Sequence, residues 1–261
     1  MSDLNKIPFG LRESDQQYVD IADVPNGNQS GCICPSCKTP LQARQGKIRN
    51  WYFAHSSKGV SDLTQNECEF SFWVSVLSMA KKVLNSEGTL STPSYTRFIG
   101  FDELLIVDKN EVKIVNPKIE KNNFDAYCDF GKYSIGIVFS TPDKKYNDIK
   151  NSNKLTGILE ISLREAINNF YSKDRSTDYK TILREIIFNN TTNKKWLYHP
   201  KIERYKERYG DKLVDAPPFN IGSVVAGLTS IKTRNYNCKN CNISWKGNDE
   251  CPDCHGHPSL K

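Results

Sequence analysis

Apolar residues recur at intervals of three and four between Glu69 and Leu84: Phe70, Trp73, Val74, Leu77, Ala80, Val83 and Leu84. That period puts them on one stripe of an amphipathic helix, and Lys81 and Lys82 fall in its last turn, where cations suit the carbonyl end. The period then changes. Tyr95 to Ile99, Leu104 to Val107, Val112 to Val115, Phe124 to Phe130 and Tyr133 to Phe139 are short, rich in β-branched and aromatic residues, and divided by polar or glycine-containing turns. They predict successive strands, with Gly131-Lys132 a connection of hairpin length. Beyond Pro142, Asp143 to Asn153 reads as a polar helix and Gly157 to Leu163 as one more strand, the order of a crossover connection. A helix over Asp178 to Phe188, the piece Lys195-Trp196-Leu197 and a basic helix around Lys201 to Arg208 follow. Residues 1 to 30 read as a polar arm with one short strand, and Asp215-Ala216-Pro217-Pro218 as a linker.

With 261 residues, 38% of them apolar and 28 aromatic, the chain has the material for a full core and is not a disordered polymer. No apolar run reaches membrane-span length, and Met1 to Lys6 lacks the apolar segment of an export signal, so a soluble cytoplasmic protein without a membrane partner is expected. The formal charge is +6 and unevenly placed: from Lys194 onward twelve Lys and Arg face seven Asp and Glu. A basic C-terminal quarter suits a polyanion, and the expected partner is nucleic acid, DNA in particular. A solvated helix face is the competing explanation for Lys201 to Lys212.

Nine cysteines change the picture further. In a reducing compartment, paired Cys-x-x-Cys spacings point to metal before disulfides. Cys238, Cys241, Cys251 and Cys254 form two such pairs separated by nine residues, enough to close a tetrahedron of sulfurs around zinc, and the neighbouring His255 and His257 are not needed. Cys34 and Cys37 begin a second zinc site, with His55 and Cys68 as the later ligands and Cys32 in reserve. Two structural zinc sites are therefore expected. Their seven thiolates would lower the net charge to about +3. Cys128, between alternating apolar residues, reads as a buried small hydrophobe.

Cys34-Pro-Ser-Cys37, Leu41, Arg44-Gln-Gly46, Trp51-Tyr-Phe-Ala-His55 and Cys68, running into the helix that ends Ala80-Lys81-Lys82, resembles the N-terminal half of competence protein CoiA-like proteins over about residues 30 to 200. In that family a cysteine pair precedes a His-Phe-Ala-His motif and a nuclease-type domain of the PD-(D/E)XK class follows; here Tyr52 stands for the first histidine. The resemblance implies a PD-(D/E)XK-like central mixed sheet with flanking helices (69–214); with the N-terminal arm and zinc-bound unit (1–68) and the C-terminal zinc ribbon-like module (215–261) that the cysteine spacings indicate, an α+β protein is expected. It implies metal-dependent DNA hydrolysis in bacterial DNA uptake, processing or defence, with Mg or Mn held by carboxylates on neighbouring strands.

Asp125 matches the family's Asp, but Gly136 falls on its Glu and Val138 on its water-orienting residue. Two alternatives stay open. Glu160, with Asp129 and with Lys144 or Lys145, rebuilds the site around Asp125; or the domain keeps the scaffold and only binds nucleic acid or a protein. Phosphate-loop, nucleophile-elbow and His-Glu-x-x-His motifs do not occur.

Overall fold

The computed structural model describes residues 6–47, 50–56, 71–142, 144, 156–171, 178–216, 234–256 and 259–260. The first strands are short. β1 (Phe9–Arg12) pairs antiparallel with both β2 (Tyr18–Asp20) and β3 (Cys32–Ile33), while β4 (Leu41–Arg44) and β5 (Tyr52–His55) form a hairpin bridged to Ile7 through Phe53. The described part of residues 1 to 30 thus holds two strands, with β3 just beyond, where one is expected, because strands of two to four residues carry too few positions for an alternation to register. Phe9, Val19, Leu41 and Phe53 are buried, which is what fixes their register.

α1 (Ser71–Leu84) buries Phe72, Trp73, Val76, Met79, Ala80, Val83 and Leu84. β6 (Gly88–Thr92), β7 (Tyr95–Ile99), β8 (Asp102–Val107) and β9 (Asn110–Ile114) follow, with β7 paired to β8 and β6 to β9. Then come β10 (Lys118–Ile119), β11 (Ala126–Phe130), β12 (Tyr133–Ser140), β13 (Thr156–Ser162), α2 (Ala166–Phe170), α3 (Tyr179–Phe188) and β14 (Lys194–Tyr198). The central five-stranded sheet has the order β10-β11-β12-β13-β14. All its neighbours are antiparallel except β12 and β13, which run parallel from Ser134 opposite Thr156 to Ser140 opposite Ser162. The helix expected over Asp143 to Asn153 falls, Lys144 apart, outside the described residues.

β12 is buried on both faces, as its almost unbroken apolar run requires. Ile135, Ile137 and Phe139 join Ala126, Cys128, Leu159, Ile161 and Trp196 in the cluster that contains the inner stripes of α1 and α3. Val138 turns the other way, into a smaller cluster with Phe124, Tyr127 and Ile158. Cys128 behaves as a small hydrophobe, its thiol pushed up to about 11 by burial.

The chain ends in α4 (Ile202–Tyr209), β15 (Leu213–Val214), β16 (Arg234–Asn237), β17 (Ser244–Gly247) and β18 (Ser259–Leu260). These strands complete a six-stranded sheet, β15-β7-β8-β17-β16-β18, in which Trp245 lies opposite Leu104 and Lys246 opposite Glu103. Segments on either side of the expected linker therefore share one sheet. Among the described residues no helix is long and apolar enough to cross a membrane.

Asp20 joins the N-terminal unit to α3. Its carboxylate accepts from the Ala22 N–H (2.9 Å) and from the Lys180 N–H (2.7 Å) in the first turn of α3, where the helix offers unsatisfied donors. Burial outweighs these two bonds and raises its pKa to about 6. The folded state holds the proton more tightly than the unfolded chain, so ionisation of Asp20 opposes folding: its contribution falls as pH rises from about 4 through 6 and is flat above. Denaturant titrations across that range should show wild type losing stability with pH relative to Asp20→Asn; parallel curves would place the raised pKa elsewhere.

Candidate functional site

Three turns share one geometry. In each Cys-x-x-Cys segment the first cysteine's carbonyl accepts from the N–H four residues on: Cys34 from Lys38 (3.0 Å), Cys238 from Asn242 (2.8 Å) and Cys251 from His255 (3.0 Å). The same cysteine's N–H donates to the carbonyl five residues on, of Thr39, Ile243 and Gly256 respectively. The residue after the second cysteine is left-handed each time, with φ of +63° at Lys38, +54° at Asn242 and +55° at His255. Such a turn places both sulfurs on one side of the backbone, ready for a cation.

Cys238, Cys241, Cys251 and Cys254 bring their four sulfurs within 4.8 Å of one another, and Cys238 Sγ lies 3.6 Å from Cys254 Sγ. A tetrahedron with zinc–sulfur arms of about 2.3 Å has edges of about 3.8 Å, so these thiols fit zinc. The Cys241 N–H draws the Cys238 thiol down to about 7. Burial, with the crowding of neighbouring sulfurs, pushes Cys241 up to about 12 and Cys251 to about 11. A divalent cation removes that conflict by stabilising all four thiolates. His255 is occupied elsewhere: it takes the left-handed turn position and pairs through Nδ1 with Glu250 at 2.9 Å. His257 lies outside the described residues.

The second cluster is Cys34, Cys37 and His55. Cys37 Sγ is 3.5 Å from His55 Nε2, against about 3.6 Å for a sulfur–nitrogen edge around zinc. Thr39 Oγ1 meets the same sulfur at 3.2 Å. His55 reaches the site because β5 alternates, with Phe53 buried and Tyr52 facing outward to pair with Arg44. Replacing the family's first histidine by Tyr52 therefore leaves these three ligands untouched. Cys32 stands apart: its thiol is pushed up to about 11 by burial, bonds the Ser30 carbonyl and packs where a Cβ on Gly10 would fall. Cys68 lies outside the described residues. Both cysteine-rich clusters can hold zinc.

The carboxylates read from the strands are arranged differently. Asp125 is 5% exposed; its Oδ2 accepts from the Phe139 N–H at 2.8 Å, and its Oδ1 lies 3.3 Å from both Lys81 Nζ and Lys144 Nζ. Lys81 also holds Glu120 at 2.7 Å. Burial works against the Lys81 charge, but Glu120 and Asp125 prevail and raise its pKa. Lys144 thus forms an ion pair with Asp125, joined by Lys81, whose place in the last helical turn explained it without any partner. Glu160 lies opposite Val138 on β13, and pairs with Lys195 at 3.1 Å. It borders a cavity of about 320 Å³ lined also by Ser162, Arg164, Asn193 and Lys194. Asp129 pairs with Lys118 at 2.5 Å. Lys145 lies outside the described residues.

Gly136 has no room for a side chain. A Cβ there would come within 2.6 Å of the Phe124 ring, which covers the position from the second cluster.

Residues 17–63 match the family model described as "Competence protein CoiA, N-terminal domain". The match spans both cysteines and the histidine of the first cluster, and the β4–β5 hairpin that brings His55 to them. It covers 47 of the 261 residues, so the similarity is to that domain alone. No curated protein and no solved structure matches the chain.

Two outcomes follow from this geometry. Gly136→Ala should cost about 1–3 kcal/mol by overpacking against Phe124, and Phe124→Leu should recover part of it in a double-mutant cycle. Strong chelation should unfold the β16–β17 hairpin, seen as rapid amide exchange at Tyr236 and Trp245, and Cys241→Ser should do so without chelator. Unchanged protection after chelation would mean the hairpin stands without metal.

Proposed function

We propose that this chain is a cytoplasmic DNA-binding protein of the competence CoiA kind, a nuclease-like scaffold that takes part in bacterial DNA uptake, processing or defence and binds without cutting. In this reading two zinc ions stabilise its ends and the sheet between them is PD-(D/E)XK-like. Support for the scaffold comes from the order α1, a β10–β12 meander and a strand parallel to β12. The observation that carries the absence of hydrolysis is the state of Asp125. Both its oxygens are already engaged, by a backbone N–H and by two ammonium groups, and the neighbouring Glu position is a glycine under an aromatic ring. A magnesium ion needs about six oxygen ligands at about 2.1 Å, and lysines held against the carboxylate compete with it for the same lone pairs. Basic residues of the C-terminal quarter, Lys201, Arg204, Lys212, Lys239 and Lys246 among them, supply phosphate contacts.

One observation favours a second reading. Asp125 bonds the N–H of Phe139, Glu160 lies opposite Val138, and Glu160 borders the cavity, so the two carboxylates flank the same stretch of β12. With Lys144 as the orienting residue they would form a migrated Mg or Mn site for phosphodiester hydrolysis. A DNA-binding and nicking assay with Mg²⁺ or Mn²⁺, run beside Asp125→Ala and Glu160→Ala, separates the two. We expect binding that weakens steeply with salt and no cleavage by any form. Cleavage by wild type that both substitutions abolish would overturn the binding-only reading in favour of the migrated site; no binding at low salt would remove DNA as the partner.

A further inference from the structure

From Val24 to Ser61 the sequence contains no Asp or Glu, but Lys38, Arg44, Lys47, Arg49 and Lys58. Over those 38 residues the formal charge is +5, a local surplus as large as that of the whole C-terminal quarter and invisible in its average over the first 193. The β4–β5 hairpin lies at the centre of this stretch and sorts its residues by face. Leu41, Ala43 and Phe53 are buried, while Gln42, Arg44, Tyr52 and Ala54 alternate with them on the outer face.

Two planar groups are held ready on that outer face. The Arg44 guanidinium lies over the Tyr52 ring, 5.6 Å from its centroid, and donates to the Tyr52 hydroxyl at 3.1 Å. Trp51, the residue before β5 begins, is 36% exposed, and its indole N–H is tied to the Gly46 carbonyl at 2.9 Å. Its backbone is fixed as well, since Tyr179 of α3 donates to the Trp51 carbonyl at 2.6 Å. Gln45 anchors the connecting loop by donating to the carbonyls of Ile21 and Val24. Lys47 is exposed beside them. An indole, a phenol and a guanidinium already ordered, in a stretch without acidic groups, meet the requirements of a stacking platform for unpaired bases with cations for the phosphates between them. A duplex hides its base faces, so exposed rings favour unpaired bases.

We propose that the β4–β5 hairpin, through Arg44 and Tyr52 on its outer face and Lys47 and Trp51 of its connecting loop, binds single-stranded DNA. The inference rests on the DNA-binding reading above and adds a second contact region, separate from Asp125 and from the basic C-terminal quarter.

Fluorescence anisotropy with labelled oligo-dT, a duplex of equal length and oligo-rU tests it, on the full zinc-loaded chain. Trp51→Ala should weaken oligo-dT binding roughly ten- to hundred-fold, Trp51→Phe far less, because stacking needs a ring and not the indole hydrogen bond. Arg44→Ala should weaken it and reduce the slope of log affinity against log salt by about 0.7. Zinc content and circular dichroism of each variant show whether the hairpin is intact, and Trp51→Phe together with Lys47→Glu keeps the test open if Trp51→Ala fails to fold. Arg204→Ala, in α4, reports on the C-terminal region in the same assay. Oligo-dT binding lowered by Arg204→Ala but not by Trp51→Ala or Arg44→Ala would overturn this proposal and leave the DNA-binding reading standing. Binding of duplex alone, or of oligo-rU in preference to oligo-dT, would also overturn it. No binding of any oligonucleotide would overturn both.

Discussion

A pair of sulfurs that a tight turn holds on one side of the backbone can take a cation, and the described residues place such a cluster toward each end of this chain. The constraint is severe at the C-terminal end. Between Arg234 and Gly256 the buried apolar side chains are Tyr236, Ile243 and Trp245, with Cys238 and Cys251 beside them, too few to hold a hairpin by the hydrophobic effect. What the metal would order is not an independent appendage. β17 continues the sheet of β7 and β8, the Asn248 N–H donates to Asp102, and Arg208 of α4 pairs with Asp253 inside the second turn. Ordering of the sulfur cluster is therefore coupled to the edge of the main body and to the basic helix.

The same logic of compensated charge governs the centre. Asp125 is almost fully buried, and a buried carboxylate persists only where hydrogen bonds and opposite charge replace its water. Here a backbone N–H and two lysines fill that role, one from the last turn of α1 and one from beyond β12. In a hydrolytic site of this geometry a metal ion would do the same work. Phe124 over Gly136 closes the space in which a second carboxylate would stand, turning a polar position into part of a small apolar cluster. Ion pair and ring together leave Asp125 compensated by lysines and the Gly136 position without a carboxylate.

Much of this was legible in the residues. Helix α1, the β11–β12 hairpin at Gly131-Lys132 and the strand over Thr156–Ser162 are written as hydrophobic periods, although the buried face of α1 runs through Phe72, Val76 and Met79 while the expected Val74 and Leu77 are only half-buried. Cys-x-x-Cys spacings are as local, since the turn that aligns the sulfurs is complete within six residues. Strands β1 to β3 were not legible, being too short for a period, nor was the pairing of β17 with β8 across more than a hundred residues. At the site, Asp125 was readable from its motif and Lys81 was not: its place in a helix end already accounted for it, and only packing brings Nζ to two carboxylates.

By itself the sequence determined α1, the β11–β12 hairpin, the strand over Thr156–Ser162 and the three Cys-x-x-Cys turns, because each is a matter of neighbours in the chain. Tertiary structure alone decided that Cys32 belongs to the core, that Tyr52 faces Arg44 away from the metal ligands, and that Asp125, Lys81 and Lys144 meet while Glu160 goes to Lys195. These are choices of sheet face and strand order. A strand's side chains alternate between faces whatever their sequence, so which face meets which partner is set by packing across the sheet.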